Sequence, residues 1–112
     1  MAFKYYKTYE KDDVAQNGTL EGSWEADEHI KIKRVHIVEK TGLSLPKSTF
    51  YMKIKERVYT HSVVPASVLG PDILVSPELD IPFSKGEKLA FTFKNLEGAN
   101  RSVFISFESW EP

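Results

Sequence analysis

The sequence contains no cysteine, which excludes disulfides, thiolate catalysis, zinc–cysteine sites and iron–sulfur clusters together. It has no apolar run approaching the ~18 residues needed to span a bilayer as a helix, so no membrane insertion is expected. Surplus charge is also missing. The formal net charge is −1, and nothing recruits nucleic acid or an acidic membrane through a bulk field. The opening Met1-Ala2-Phe3-Lys4-Tyr5-Tyr6-Lys7 has no apolar h-region, so a secretory signal is not expected. Helix-length periodicity is lacking too: from Ile73 to Pro112, short strand-like runs follow one another between turns.

What is present suits a small all-β domain. The chain has 112 residues, of which 41% are hydrophobic and 12% aromatic, enough for one domain with a core between two sheets. Lys88 to Lys94 alternates, with Leu89, Phe91 and Phe93 on one side of a pleated ribbon. After the turn-like Asn95 to Asn100, Val103, Ile105 and Phe107 resume the alternation, which predicts a closing hairpin. Thr19 to Trp24 is a short strand in which Leu20 and Trp24 share a face around Gly22, with Trp24 expected to cap the core. His29 to Glu39 changes phase midway, Ile30 and Ile32 against Val35 and Ile37. A β-bulge near Lys33-Arg34 reconciles the two. Phe50, Met52 and Ile54 mark another strand, and Val58 to Val64 a further one. Pro65 to Gly70 suits one helical turn. Ile73 to Val75 and Leu79 to Phe83 are short strands, the second confined to an edge or an end by Pro82. About eight short strands are thus expected from Thr19 onward. They predict a two-sheet antiparallel sandwich, and a jelly roll better than an immunoglobulin-like topology.

Residues 1–13 read as an extended N-terminal arm and 14–112 as the sandwich domain. An edge strand of the same domain is the alternative for the first segment. Phe3, Tyr5, Tyr6 and Tyr9 give that segment its aromatic alternation, which suits addition to the sheet edge of another subunit. Removing 1–13 is then expected to leave the sandwich folded.

Catalytic and metal chemistry find little support. His29, His36 and His61 have no short metal-ligand spacing, and ordinary strand positions are expected for them. Asp72, Glu78 and Asp80 are carboxylates near one loop end, without a calcium-loop pattern. No serine lies in a nucleophile elbow, and Gly18 to Gly22 is followed by no helix that would make a phosphate cradle. No catalytic residue, cofactor or metal is assigned. A cupin-like enzyme would need clustered histidines.

The order of segments resembles the small single jelly-roll proteins of virus particles: capsid, decoration and vertex proteins of phages and archaeal viruses. Three stretches carry the resemblance. They are the first segment running into Val14 to Thr19, the Val64 to Asp72 connection, and Gly86 to Phe107 with Asn95 at its turn. The resemblance implies a structural, non-enzymatic role in a homo-oligomer with other particle proteins, with arms exchanged between neighbours. It also implies location in the virion, or in the cytoplasm before assembly. The first segment is only mildly basic, with Lys4, Lys7 and Lys11 against Glu10, unlike the long basic arms that package genomes. A carbohydrate-binding module of lectin type is the alternative, with Tyr51, Tyr59 and Trp110 as candidate glycan-stacking residues.

Overall fold

The computed structural model describes residues 2–55, 57–58, 64–65 and 78–112. Tyr59, His61 and Asp72, the expected helical turn within 65–70 and the expected strand 73–75 therefore lie wholly or largely outside the described residues. The described chain forms nine strand segments: β1 (Phe3–Val14), β2 (Thr19–Glu25), β3 (Ile30–Glu39), β4 (Thr49–Ile54), β5 (Arg57–Val58), β6 (Val64–Pro65), β7 (Ile81–Phe83), β8 (Lys88–Lys94) and β9 (Arg101–Trp110). They make two antiparallel sheets. One has the order β1-β9-β3-β7; the other has the order β2-β8-β4-β5, with β6 also on β4. First pairs with last, second with second-to-last, and so inward: β1 with β9, β2 with β8, β3 with β7. This nesting is the jelly-roll winding expected from the sequence.

The core lies between the sheets. Leu20 and Trp24 from β2, Phe50, Met52 and Ile54 from β4, and Leu89, Phe91 and Phe93 from β8 face Val103, Ile105 and Phe107 from β9. Each of these strands buries alternate residues because successive side chains point to opposite faces. Trp24 is buried, its ring 5.0 Å from that of Phe83 and 5.7 Å from that of Phe107. The phase change in β3 has the expected cause. Its register against β9 shifts between Ile32 and Arg34, so Ile30, Ile32, Val35 and Ile37 all reach the core. The three-residue β7, containing Pro82, ends its sheet.

The expected closing hairpin is not formed. β8 and β9 belong to different sheets, and residues 95–100 cross from one to the other. Their apolar faces meet across the core, with Phe91 and Phe107 rings 5.4 Å apart, instead of lying side by side. The fully buried Asn95 organises the crossing. Its Nδ2 donates to the carbonyls of Val14 and Ala99, both at 2.8 Å, and its Oδ1 accepts from Glu97 N at 3.0 Å.

The N-terminal segment is extended, but it is built into the sandwich. Phe3–Val14 pairs with β9 along its length, so the edge-strand alternative describes it. Tyr5 and Tyr9 pack against the core. Deleting 1–13 would therefore remove a strand of the sheet and uncover β9.

Candidate interaction surface

The four aromatics of β1 divide between two environments. Tyr5 and Tyr9 point into the seam between the sheets. The Tyr5 ring is 6.4 Å from Trp24, and the Tyr9 ring is 5.0 Å from Phe91 and 6.2 Å from Phe107. Gly22 on β2 makes this possible, since a Cβ there would lie 3.3 Å from Tyr9 and closer still to Phe91. Burial raises the phenol pKa of Tyr9, and burial followed by the charges of Asp27 and Glu28 raises that of Tyr5. Both residues close the sandwich and are poorly placed to meet a partner.

Phe3 and Tyr6 face outward and are 44% and 54% exposed. A register shift between Phe3 and Tyr5 brings them together, with ring centroids 4.9 Å apart. Trp110, at the end of β9, joins them edge-on at 6.0 Å from Phe3. Lys33 Nζ lies 4.5 Å over the Trp110 ring and also pairs with Glu78 at 3.2 Å. Trp110 thus belongs with the arm aromatics. Tyr51 sits half-buried on β4 of the other sheet, opposite Thr92. These two described members of the glycan-stacking set do not converge.

Behind the aromatic patch lies a charged cluster that the sequence did not single out. Glu108, on β9, is 2% exposed on the outer side of the sheet. Its carboxylate accepts from Arg34 Nη1 at 3.1 Å and lies 3.7 Å from His36 Nε2. The Tyr6 ring stands 6.1 Å from His36. The bulge places Arg34 directly opposite Glu108, with His36 two residues further on the same outward face. His36 thus lies buried beside the Arg34–Glu108 ion pair. His29 accepts a hydrogen bond from Lys85 N through Nδ1 at 3.2 Å.

The sheet edges are unequal. β7 has three residues and a proline, and β5 has two described residues. The edge of β2 is covered by side chains of β1: Tyr9 Oη donates to Ser23 O at 3.3 Å and Lys11 Nζ to Thr19 O at 3.1 Å. Short length, proline and covering side chains are the usual protections of an edge. β1 is twelve residues long, and among the described residues no strand lies on its outer side. Charge is graded along it. Lys4 pairs with Glu28 at 2.8 Å near one end, and Asp12 and Glu10 pair with Lys40 at 2.6 and 3.4 Å near the other. The hydrogen bond to Glu28 raises the Lys4 pKa, and the one to Asp12 raises that of Lys40.

Among the described residues no group of three or more His, Cys, Asp or Glu could hold a metal ion. Glu78 is engaged by Lys33, and Asp80 has φ 52°. The described arrangement can bind through an aromatic patch and a strand edge. No protein-family model matches the chain, and no curated protein matches it at significant similarity.

Proposed function

We propose that the chain is a non-enzymatic assembly subunit, a jelly-roll building block of a larger particle. Capsid, decoration and vertex proteins of virions, which its segment order resembles, are the type. The observation that carries this reading is the long edge of β1, open among the described residues and flanked by the exposed rings of Phe3 and Tyr6. A monomeric protein ordinarily blunts such an edge, because its unpaired N–H and C=O groups invite another strand. Exposed aromatics beside it supply the apolar centre that protein interfaces favour.

The carbohydrate-binding alternative is less well supplied, since Lys33 occupies a face of Trp110 and Tyr51 lies on the other sheet. Sedimentation of the intact chain across a concentration series tests the assembly reading. A discrete oligomer, weakened by Phe3→Ser with Tyr6→Ser while the melting temperature holds, is the expected result. A strict monomer throughout, with tryptophan fluorescence quenched by a glycan, overturns it in favour of the lectin reading.

A further inference from the structure

The open edge of β1 carries enough information to fix its own partner and register. Lys40 N donates to Ser102 O at 2.8 Å, in step with the Glu39–Val103 pairing of β3 and β9. Backbone groups of successive residues in an antiparallel strand point to alternate sides. Ser102, Phe104 and Ser106 therefore direct their N–H and C=O toward β3, and Val103, Ile105 and Phe107 direct theirs toward β1. The β1 residues opposite the latter are Lys11, Tyr9 and Lys7. By the same alternation Tyr6, Thr8 and Glu10 turn their N–H and C=O to the open edge, and their exposed side chains share the outer face.

Register irregularities bracket this stretch, one between Phe3 and Tyr5 and one between Lys11 and Val14. The regular segment 5–11 is centred on Thr8. Bulges terminate pairing, so a strand added here has only these residues to use.

We propose that the occupant is a second copy of this chain, paired antiparallel through β1 about a two-fold axis at Thr8. The two four-stranded sheets become one eight-stranded sheet. This rests on the assembly reading and specifies its contact. Opposed residues in an antiparallel pair share a face, so outward residues must meet outward residues. Three symmetric registers satisfy this while pairing five or more residues of the regular segment, with the axis at Lys7, Thr8 or Tyr9. An axis at Lys7 sets Lys7 against its own copy, and an axis at Tyr9 sets Lys7 against Lys11 of the second copy. Like charges directly opposite are destabilising.

The axis at Thr8 avoids both clashes. It opposes Tyr6 to Glu10, Lys7 to Tyr9 and Tyr5 to Lys11 of the second copy. Just beyond the regular segment it brings Lys4 opposite Asp12. The existing pairs then extend into an alternating row: Glu28, Lys4, then Asp12 and Lys40 of the second copy. The contact is isologous, as a closed two-fold dimer requires.

The chain has no cysteine, so single-cysteine variants report the register cleanly. Sedimentation of the wild type, Thr8→Lys, and oxidative cross-linking of Thr8→Cys and Glu10→Cys form the test. Thr8 positions meet at the axis within the Cα separation that a disulfide spans. Glu10 positions are offset by four residues, about 13 Å along the strands, and cannot bridge. The expected result is a wild-type dimer, rapid cross-linking of Thr8→Cys only, and a roughly tenfold weaker dimer for Thr8→Lys with unchanged ellipticity. A wild-type oligomer that Thr8→Lys leaves intact and Thr8→Cys does not cross-link overturns this contact and leaves the assembly reading standing. A wild-type monomer at every concentration overturns both.

Discussion

Gly22 lies directly against the ring of Phe91: a Cβ at position 22 would stand 2.4 Å from Phe91 Cε2 and 2.6 Å from Cζ. The two are cross-strand partners, Gly22 on β2 and Phe91 on β8. The missing side chain is what lets a phenylalanine of the core and Tyr9 of the edge strand meet at the seam. Phe91 is 2% exposed, with Phe50 and Phe107 rings at 6.0 and 5.4 Å, so it has little room to yield.

Gly22→Ala is therefore expected to destabilise the fold. Alanine relieves the backbone entropy cost of glycine, about 0.5–1 kcal/mol, but overpacking of this kind costs about 1–3 kcal/mol. A net loss of roughly 1–2 kcal/mol in urea unfolding follows from those two terms. A neutral or stabilised variant would show that the ring moves freely.

Asn95→Ala should cost more, because one side chain serves three backbone groups. The carbonyls of Val14 and Ala99 lose a donor, and the N–H of Glu97 loses an acceptor. At about 1 kcal/mol for each bond, with an added penalty for buried groups left unmet, the loss is above about 3 kcal/mol. Asn95→Asp should rescue little of it, since a carboxylate accepts from Glu97 N but cannot donate to two carbonyls. Chemical denaturation of the pair distinguishes lost donation from lost volume.

Asn95 also shows where sequence reading stops. The apolar alternation on either side of it was legible, as were the bulge at Lys33, the edge position of Pro82 and the burial of Trp24. Each depends on side-chain period or backbone chemistry within one strand. That β8 and β9 lie in opposite sheets depends on pairing partners tens of residues away, and two strands with one apolar face each satisfy either arrangement. The same holds for β1. Its aromatics suit addition to another sheet edge when read from sequence alone, because nothing local reveals that Gly22 leaves a place for Tyr9. Glu108 was passed over for a related reason: its partner Arg34 is 74 residues distant.

Two carboxylates tie stability to acid pH. Burial works to raise the Glu39 carboxyl, but hydrogen bonds from the Thr41 hydroxyl and from the Thr41 and Leu43 amides outweigh it and hold the pKa below its ordinary value. Glu97 behaves alike: burial opposes ionisation, and Ser48 Oγ, Lys47 N and Ser48 N, at 2.7, 2.9 and 2.7 Å, favour it more. A folded pKa below the unfolded one gives stability that is present above the unfolded value, about 4.3 for glutamate. That stability is lost as pH falls through the lower folded value. Melting temperature is expected to drop on acidification through this window. Glu39→Gln with Glu97→Gln should lower it at neutral pH and flatten the acid limb. An unchanged slope would place the linkage in other groups.

The Arg34–Glu108 pair invites a double-mutant cycle. Glu108 is nearly inaccessible and Arg34 mostly covered, so each charge depends on the other for compensation. Arg34→Leu leaves a carboxylate buried, with Glu78 already directed toward the same corner. Removing one member of such a pair costs about 3 kcal/mol. Glu108→Leu leaves the guanidinium facing Glu78 and solvent, a milder change. Arg34→Leu combined with Glu108→Leu should recover most of the loss, since an apolar replacement of a buried pair is often neutral or better. A double-variant loss equal to the sum of the two single losses would mean that the two side chains act independently. Recovery in the double variant would instead show that the pair adds little net stability over an apolar replacement. Its removal should then leave unfolding cooperative and leave the Thr8→Cys cross-link intact, because the open edge of β1 is set by its pairing with β9 and not by the charges behind it.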